Sequence, residues 1–133
     1  MKILIDTNVL VSAFVFKGKP RELIYRLLFD RHRLIVTSYV EREFRKTLAR
    51  KWPNKADVVY ANFSTMRFVR LESSNEQYGS LRDKKDIPVL SDAVYYNVDV
   101  ILSGDKDFFE AGLERPAVKS ASELWDFLGY GDL

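Results

Sequence analysis

A chain of 133 residues, 47% hydrophobic and 30% charged, is sized for one domain with a substantial core, and this composition excludes disorder and low complexity. The absence of cysteine excludes disulfides and Cys-based zinc or iron–sulfur sites. The single histidine, His32, lies in the polar turn Asp30-Arg31-His32-Arg33 and reads as a surface residue, since a His-rich zinc site or a Ser-His-Asp triad would need it beside other catalytic groups. A net charge of +2 is too small to announce nucleic-acid binding by itself.

Lys2 to Ile5 is a short apolar run that reads as a central strand, and Asp6-Thr7-Asn8 then offers capping side chains to the apolar segment Val9 to Phe16. The same Asp6-Thr7-Asn8 breaks what would otherwise resemble a secretory h-region. No segment reaches membrane-spanning length, so a soluble cytoplasmic protein is expected. Lys17-Gly18-Lys19-Pro20 is a loop leading into a helix with the stripe Leu23, Ile24, Leu27 and Leu28. Leu34 to Thr37 is the second strand, with Ser38 expected to cap a helix from Tyr39 to about Trp52, on which Val40, Phe44 and Leu48 recur every fourth residue. A further helix is expected from Lys55 to about Met66, then a strand at Phe68 to Leu71 and a polar loop from Ser73 to Lys85. Asp86 to Asn97 reads as helix, Asp99 to Leu102 as strand, and Asp105 to Phe109 as a short helix. Ala117 to Lys119 is a fifth strand, and Ser120 with Glu123 forms a capping box for a last helix from Ala121 to Leu128. Short apolar strands alternating with helices predict an α/β fold, a three-layer α/β/α sandwich around a mostly parallel sheet of four to five strands, spanning residues 1–133 as one domain.

Four acids share one setting in this pattern. Asp6 and Asp105 follow strands, Glu43 lies near the start of the helix after the second strand, and Asp86 precedes another helix. In an open parallel sheet the carboxyl ends of the strands and the starts of the following helices share one edge, where ligands bind. Carboxylates gathered there repel one another, so such a cluster calls for a hard divalent cation, Mg2+ or Mn2+. Taken singly, Asp6, Asp86 and Asp105 each have the simpler explanation of helix capping. Glu43 does not, because it lies beyond capping reach on the side of Val40 and Phe44, where a carboxylate needs a partner. Glu41, two residues away, points to another helical face and is assigned to solvent.

The chain holds no Walker A loop, no Gly-x-Gly-x-x-Gly, no Gly-x-Ser-x-Gly and no His-Glu-x-x-His. What remains is carboxylate-bound metal that activates water and stabilises phosphoryl charge. Basic residues flank the acids: Lys17, Lys19 and Arg21 in one loop, Arg42, Arg45, Lys46, Arg50 and Lys51 around and after Glu43, and Arg82, Lys84 and Lys85 before Asp86. If the acidic edge faces a polyanion, Lys17, Lys19, Arg45 and Arg82 are expected contacts to its phosphates, against the alternative of a solvated surface.

Four segments, Ile3-Leu4-Ile5-Asp6-Thr7-Asn8-Val9-Leu10, Ser38-Tyr39-Val40-Glu41-Arg42-Glu43-Phe44, Arg82-Asp83-Lys84-Lys85-Asp86-Ile87-Pro88-Val89-Leu90 and Ile101-Leu102-Ser103-Gly104-Asp105-Lys106-Asp107-Phe108, resemble the ordered signature segments of PIN domains. The similarity is to small prokaryotic VapC-like PIN proteins of toxin–antitoxin pairs. It implies a metal-dependent endoribonuclease whose catalytic and metal-binding acids are Asp6, Glu43, Asp86 and Asp105, with Asp83 an alternative to Asp86. It further implies supporting roles for Asn8, for Ser103, where threonine is more usual, and for Asp107. RNA as substrate, an antitoxin protein as partner and a homodimer follow from the same resemblance, with Tyr95, Tyr96, Trp125 and Phe127 as interface residues unless they are core. Two rival readings are a PIN-fold RNA-binding or assembly module without turnover, and a nuclease acting on flapped or single-stranded DNA. Retention of all four acids argues against the first, and the lack of long insertions against the second.

Overall fold

The computed structural model describes residues 1–74, 86–105, 108 and 115–131. Five strands, β1 (Lys2–Ile5), β2 (Arg33–Thr37), β3 (Val69–Leu71), β4 (Val100–Leu102) and β5 (Ala117–Lys119), form one sheet in the order β3-β2-β1-β4-β5. Every pairing is parallel, with Leu4 opposite Ile35 on one side and Ile101 on the other. The sheet is therefore wholly parallel rather than mostly so. Ile3, Leu4 and Ile5 point to alternate faces yet are all fully buried, so both faces of the sheet are covered. This is why β1 reads as an unbroken apolar run with no polar alternation, and it establishes the expected layered α/β architecture.

The helices follow the expected order with shifted ends. Thr7–Val11 is α1, continued without a break by a π-helical stretch, Ser12–Phe16, so the apolar segment after Asp6 forms a composite of two helical geometries. Lys17 and Gly18, at φ of 65° and 73°, turn the chain into α2 (Lys19–Phe29), whose Leu23, Ile24 and Leu27 are buried. Helix α3 (Ser38–Lys51) is capped by Thr37, not by Ser38 as the sequence suggested. Strand β2 runs directly into the helix, so the extended Thr37 is the last residue outside it and its hydroxyl accepts from the Val40 amide. Ser38 serves elsewhere: its hydroxyl accepts from the Ser73 amide at 2.9 Å, while Ser73 Oγ accepts from the Tyr39 amide at 2.8 Å. Helices α4 (Ala56–Ser64), α5 (Ile87–Tyr95) and α6 (Ala121–Phe127) complete the described elements, and α6 carries the expected Ser120/Glu123 capping box. Most of the Ser73 to Lys85 loop and of the helix expected after Asp105 lies outside the described residues. Among those residues no helix is long and apolar enough to cross a membrane.

Of the four aromatic residues considered for an interface, Trp125 is core and Tyr96 is half-buried, its hydroxyl donating to the Glu72 carbonyl. Tyr95 and Phe127 are exposed. The interior centres on a ring cluster in which Phe63 packs against Phe14, Phe44 and Phe68 with centroids 5.2–5.8 Å apart. This cluster fastens α3 and α4 to the π-helical stretch, and through α3 it sets the position of Glu43. Phe63→Ala removes the fully buried central ring and is expected to cost about 3–5 kcal/mol of unfolding free energy in a denaturant titration.

Candidate active site

In a parallel sheet built outward from β1, the strand order reverses between β1 and β4, because β2 and β3 lie to one side and β4 and β5 to the other. Asp6 leaves the end of β1 at this crevice, and Asp105 follows β4 by three residues. A cleft of about 460 Å³ opens here, lined by Asp6, Asn8, Glu43, Asp86 and Asp105. The elements thus deliver all four acids expected from the sequence, and Asn8, to one cavity.

Their settings differ. Asp6 is 5% exposed, and its Oδ1 accepts from the Thr7 amide at 2.8 Å while its Oδ2 accepts from the Ser103 hydroxyl at 2.8 Å. Ser103 is itself fully buried, and its oxygen accepts from the Asp105 amide at 3.0 Å. One hydroxyl thereby ties the acid of β1 to the backbone that presents the acid after β4. Asp6 also fits the capping explanation, since it precedes α1 and binds its first amide. Asp86 is different. It occupies the position before α5 and is 7% exposed, but its side chain makes no capping hydrogen bond. Glu43 and Asp105 are half-buried.

The cations that line the cleft are Lys46 and Arg50, one and two turns beyond Glu43 on α3, and Lys46 Nζ stands 3.8 Å from Glu43 Oε1. Lys17, Lys19 and Arg45 do not line it. The Lys19 ammonium instead stands 6.0 Å from the Trp125 ring. Arg82 and Asp107, and the alternative acid Asp83, lie outside the described residues. Thr7, Tyr39 and Thr47 also face the cleft, and no pattern in the sequence singled them out. The i, i+4 spacing of Glu43 and Thr47 is the signal that could have found Thr47.

Glu41 corrects the expectation that it faces solvent. It receives the Tyr60 hydroxyl at 2.8 Å and pairs with Arg70 Nε at 3.1 Å. The partners come from α4 and β3, which local helical periodicity does not reveal. A second buried acid, Asp92 on α5, is fully enclosed and accepts from the Ser74 amide at 2.7 Å. His32 sits at the surface turn as expected, and its Nδ1 accepts from the Met1 amino group at 3.1 Å. Partial burial and the nearby ammonium lower its pKa.

Among the described residues no three His, Asp or Glu side chains converge closely enough to cage a metal ion. The donor chemistry nevertheless fits a hard divalent cation. Carboxylates predominate, hydroxyl and amide oxygens add to them, and cysteine and histidine ligands are absent from the cleft. Magnesium keeps several of its waters, so it can be held by one or two direct carboxylates with the others acting through water.

Comparisons with known proteins are consistent with this architecture. The family model described as "PIN domain" matches residues 2–107. The solved structure of VapBC2 from Rickettsia felis, bound to a DNA fragment from its promoter, superposes with a TM-score of 0.73 at 17% identity, over 90% of this chain and 98% of the other. Mycobacterium tuberculosis VapC20, a toxin that cleaves the sarcin–ricin loop, gives a TM-score of 0.60 at 14% identity over 84% and 95% of the two chains. At these identities the likeness is one of fold. No curated protein sequence matches.

The Ser103 bridge is testable without reference to activity. Ser103→Ala removes a buried donor from Asp6 and a buried acceptor from the Asp105 amide, and is expected to destabilise the fold by roughly 1–3 kcal/mol. Ser103→Thr, which keeps the hydroxyl, should lie closer to the wild-type denaturation midpoint.

Proposed function

The chain belongs to the PIN domain family, and from that premise we propose that it is a divalent-metal-dependent endoribonuclease that hydrolyses RNA phosphodiesters. The observation that supports this reading most directly is the cleft itself: Asp6, Glu43, Asp86 and Asp105 come from four separate segments and line one cavity at the switch point of a parallel sheet. Among the described residues four carboxylates and two cations line it, an imbalance that Mg2+ or Mn2+ would relieve. When bound, such a cation supplies Lewis acidity toward the phosphoryl group and makes a coordinated water more acidic.

In this reading Asp6 is the best-oriented ligand, because the Thr7 amide and the Ser103 hydroxyl fix both of its oxygens. Asp105 is held relative to it through its own amide and Ser103. Asp86 and Glu43 approach from α5 and α3. Asn8 supports the first acid, Ser103 links the first and last, and Asp107 is assigned an outer role on the family pattern. Lys46 and Arg50 stand where the strand's phosphates would enter, and would orient the backbone by charge.

By analogy with the VapBC2 complex and with the loop-cleaving VapC20, we assign the chain to the toxin side of a toxin–antitoxin pair, with an antitoxin protein as partner, a homodimer as its assembly and the cytoplasm as its place of action. The exposed Tyr95 and Phe127 remain available to such an assembly. The second reading, a PIN-fold RNA-binding or assembly module without turnover, draws on the lack of a closely converged acid trio among the described residues. Metal binding separates the two.

Purified wild-type protein is expected to cleave single-stranded RNA with Mn2+ or Mg2+ and to lose that activity in a chelator. Mn2+ should also raise its melting temperature, since a ligand bound only by the folded state stabilises it. Asp6→Asn should abolish cleavage and remove the Mn2+-dependent rise while the protein stays folded. Glu43→Gln should lower activity by orders of magnitude, whereas Glu41→Gln, which stands outside the cleft, should lower it little. Equal losses at 41 and 43 would contradict the assignment of Glu43 to the metal.

A further inference from the structure

Among the described residues that line the acidic cleft, carboxylates outnumber cations, a balance that does not favour a polyanion. Affinity for RNA has to come from neighbouring positive surface, where counterion release drives binding. The described residues hold such a surface beside the cleft. A concavity of about 520 Å³ lies between the outer side of α3 and β3, the edge strand of the sheet, and Lys46 lines both cavities.

Its cations are Arg42, Arg45 and Lys46 from α3 and Arg70 from β3, set against Glu41 and Glu72. Two of the guanidinium groups are already oriented. Arg45 lies over the Tyr60 ring at 4.7 Å, the Tyr60 hydroxyl donates to Glu41, Glu41 pairs with Arg70, and Arg70 lies over the Phe63 ring at 5.0 Å. This chain of contacts fixes the planes of Arg45 and Arg70 at low entropic cost to a ligand, while both side chains remain exposed. Glu41 is neutralised by Arg70 and Lys46 is shared with Glu43, which leaves Arg42 and Arg45 against the carboxylate of Glu72 among the described lining residues. Arg42 has neither an ion pair nor a hydrogen bond among the described residues.

We propose that this basic concavity is the phosphate-binding subsite for the stretch of single-stranded RNA that leaves the acidic cleft across Lys46. The inference rests on the ribonuclease reading of the cleft and adds to it the direction of the substrate path, over α3 toward β3, and two contacts: Arg42, which the sequence offered only as one of several basic flanking residues, and Arg70, which no pattern in it singled out. Because the aromatic faces in the network are already covered by guanidinium groups, the subsite grips backbone rather than stacking bases. It is therefore indifferent to sequence. It also requires length, since only a strand that extends beyond the cleft reaches it.

The test uses the full chain carrying Asp6→Asn, so that RNA is bound and not cut, and labelled single-stranded RNAs of two unrelated sequences in short (about 4-nucleotide) and long (about 16-nucleotide) forms. Affinities are measured by fluorescence anisotropy across a salt series for the background protein, for Arg42→Gln alone and for Arg42→Gln with Arg70→Gln. The double variant is expected to bind both long RNAs about 10-fold more weakly at moderate salt and to flatten the log–log salt slope by roughly 0.7 per lost phosphate contact, with the short RNAs little changed. Arg42→Gln, whose side chain makes no hydrogen bond or ion pair among the described residues, should show about half of that flattening even if loss of the Arg70–Glu41 pair disturbs the double variant. An unchanged slope, an equal loss for short and long RNAs, or a loss for one sequence only would each overturn the subsite. Failure of the underlying reading looks different: it is wild-type protein that neither cleaves RNA nor gains thermal stability from Mn2+. Loss of long-RNA affinity in the variants would still locate the strand on this face.

Discussion

A carboxylate that is almost wholly removed from water must find compensation, and among the four acids of the cleft Asp6, at 5% exposure, is the one on which this constraint falls hardest. The fold brings backbone and hydroxyl donors to it. An amide from α1 serves one oxygen and the buried hydroxyl after β4 serves the other. That solution requires β1 and β4 to be neighbours in register, which the parallel pairing of Ile5 with Leu102 and the bond from the Asp6 amide to the Leu102 carbonyl provide. The strand order, the switch point and the placement of the acids are therefore one arrangement seen at three scales.

The aromatic cluster plays the complementary part on the α3 side. Glu43 can reach the cleft only if Val40, Phe44 and Leu48 hold the opposite face of α3 in the core, and all three are buried. Phe63 supports that face through Phe44, and its ring also lies beneath Arg70 at the surface. One buried ring thus underlies both the helix that carries an acid of the cleft and the edge of the basic concavity. The packing fixes the distance between the two cavities, and Lys46, shared by both, marks their border.

Most of this was legible in the sequence where a local pattern carried it. The unbroken apolar runs of β1 and β2 announce strands buried on both faces, and the four-residue recurrence of Val40, Phe44 and Leu48 gives the register that places Glu43. Asp6, Asp86 and Asp105 were legible as a group through their shared position relative to strands and helices, although any one of them reads as a cap. What local pattern cannot carry is pairing between distant segments. Glu41 was assigned to solvent because its partners, Tyr60 and Arg70, lie on α4 and β3, 19 and 29 positions away. Ser38 was read as a cap because Ser is common there, yet Thr37 ends the strand one residue earlier and leaves Ser38 free to bind the Ser73 amide. Trp125 was open between interface and core, and its enclosure at 4% exposure is a property of tertiary packing alone.

Asp92 shows the same limit from the other direction. Nothing in the helical pattern of α5 distinguishes it, yet it is fully buried, and the Ser74 amide donates to it. The segment after β3 is held at three successive residues: the Tyr96 hydroxyl binds the Glu72 carbonyl, Ser38 binds the Ser73 amide, and Asp92 binds the Ser74 amide. Two of these restraints come from α5, the helix whose start is marked by Asp86. The chain thus leaves β3 tied to the element on which Asp86 stands, and an acid with no place in the cleft holds the end of one described segment against the beginning of the next. The carboxylates of this protein accordingly divide by what donates to them. Asp92 is met by an amide that anchors the chain, and Glu41 by a tyrosine and an arginine that order a surface. Asp6, Glu43, Asp86 and Asp105 line the cleft at the switch point of the sheet, Asp6 held there by the Thr7 amide and the Ser103 hydroxyl.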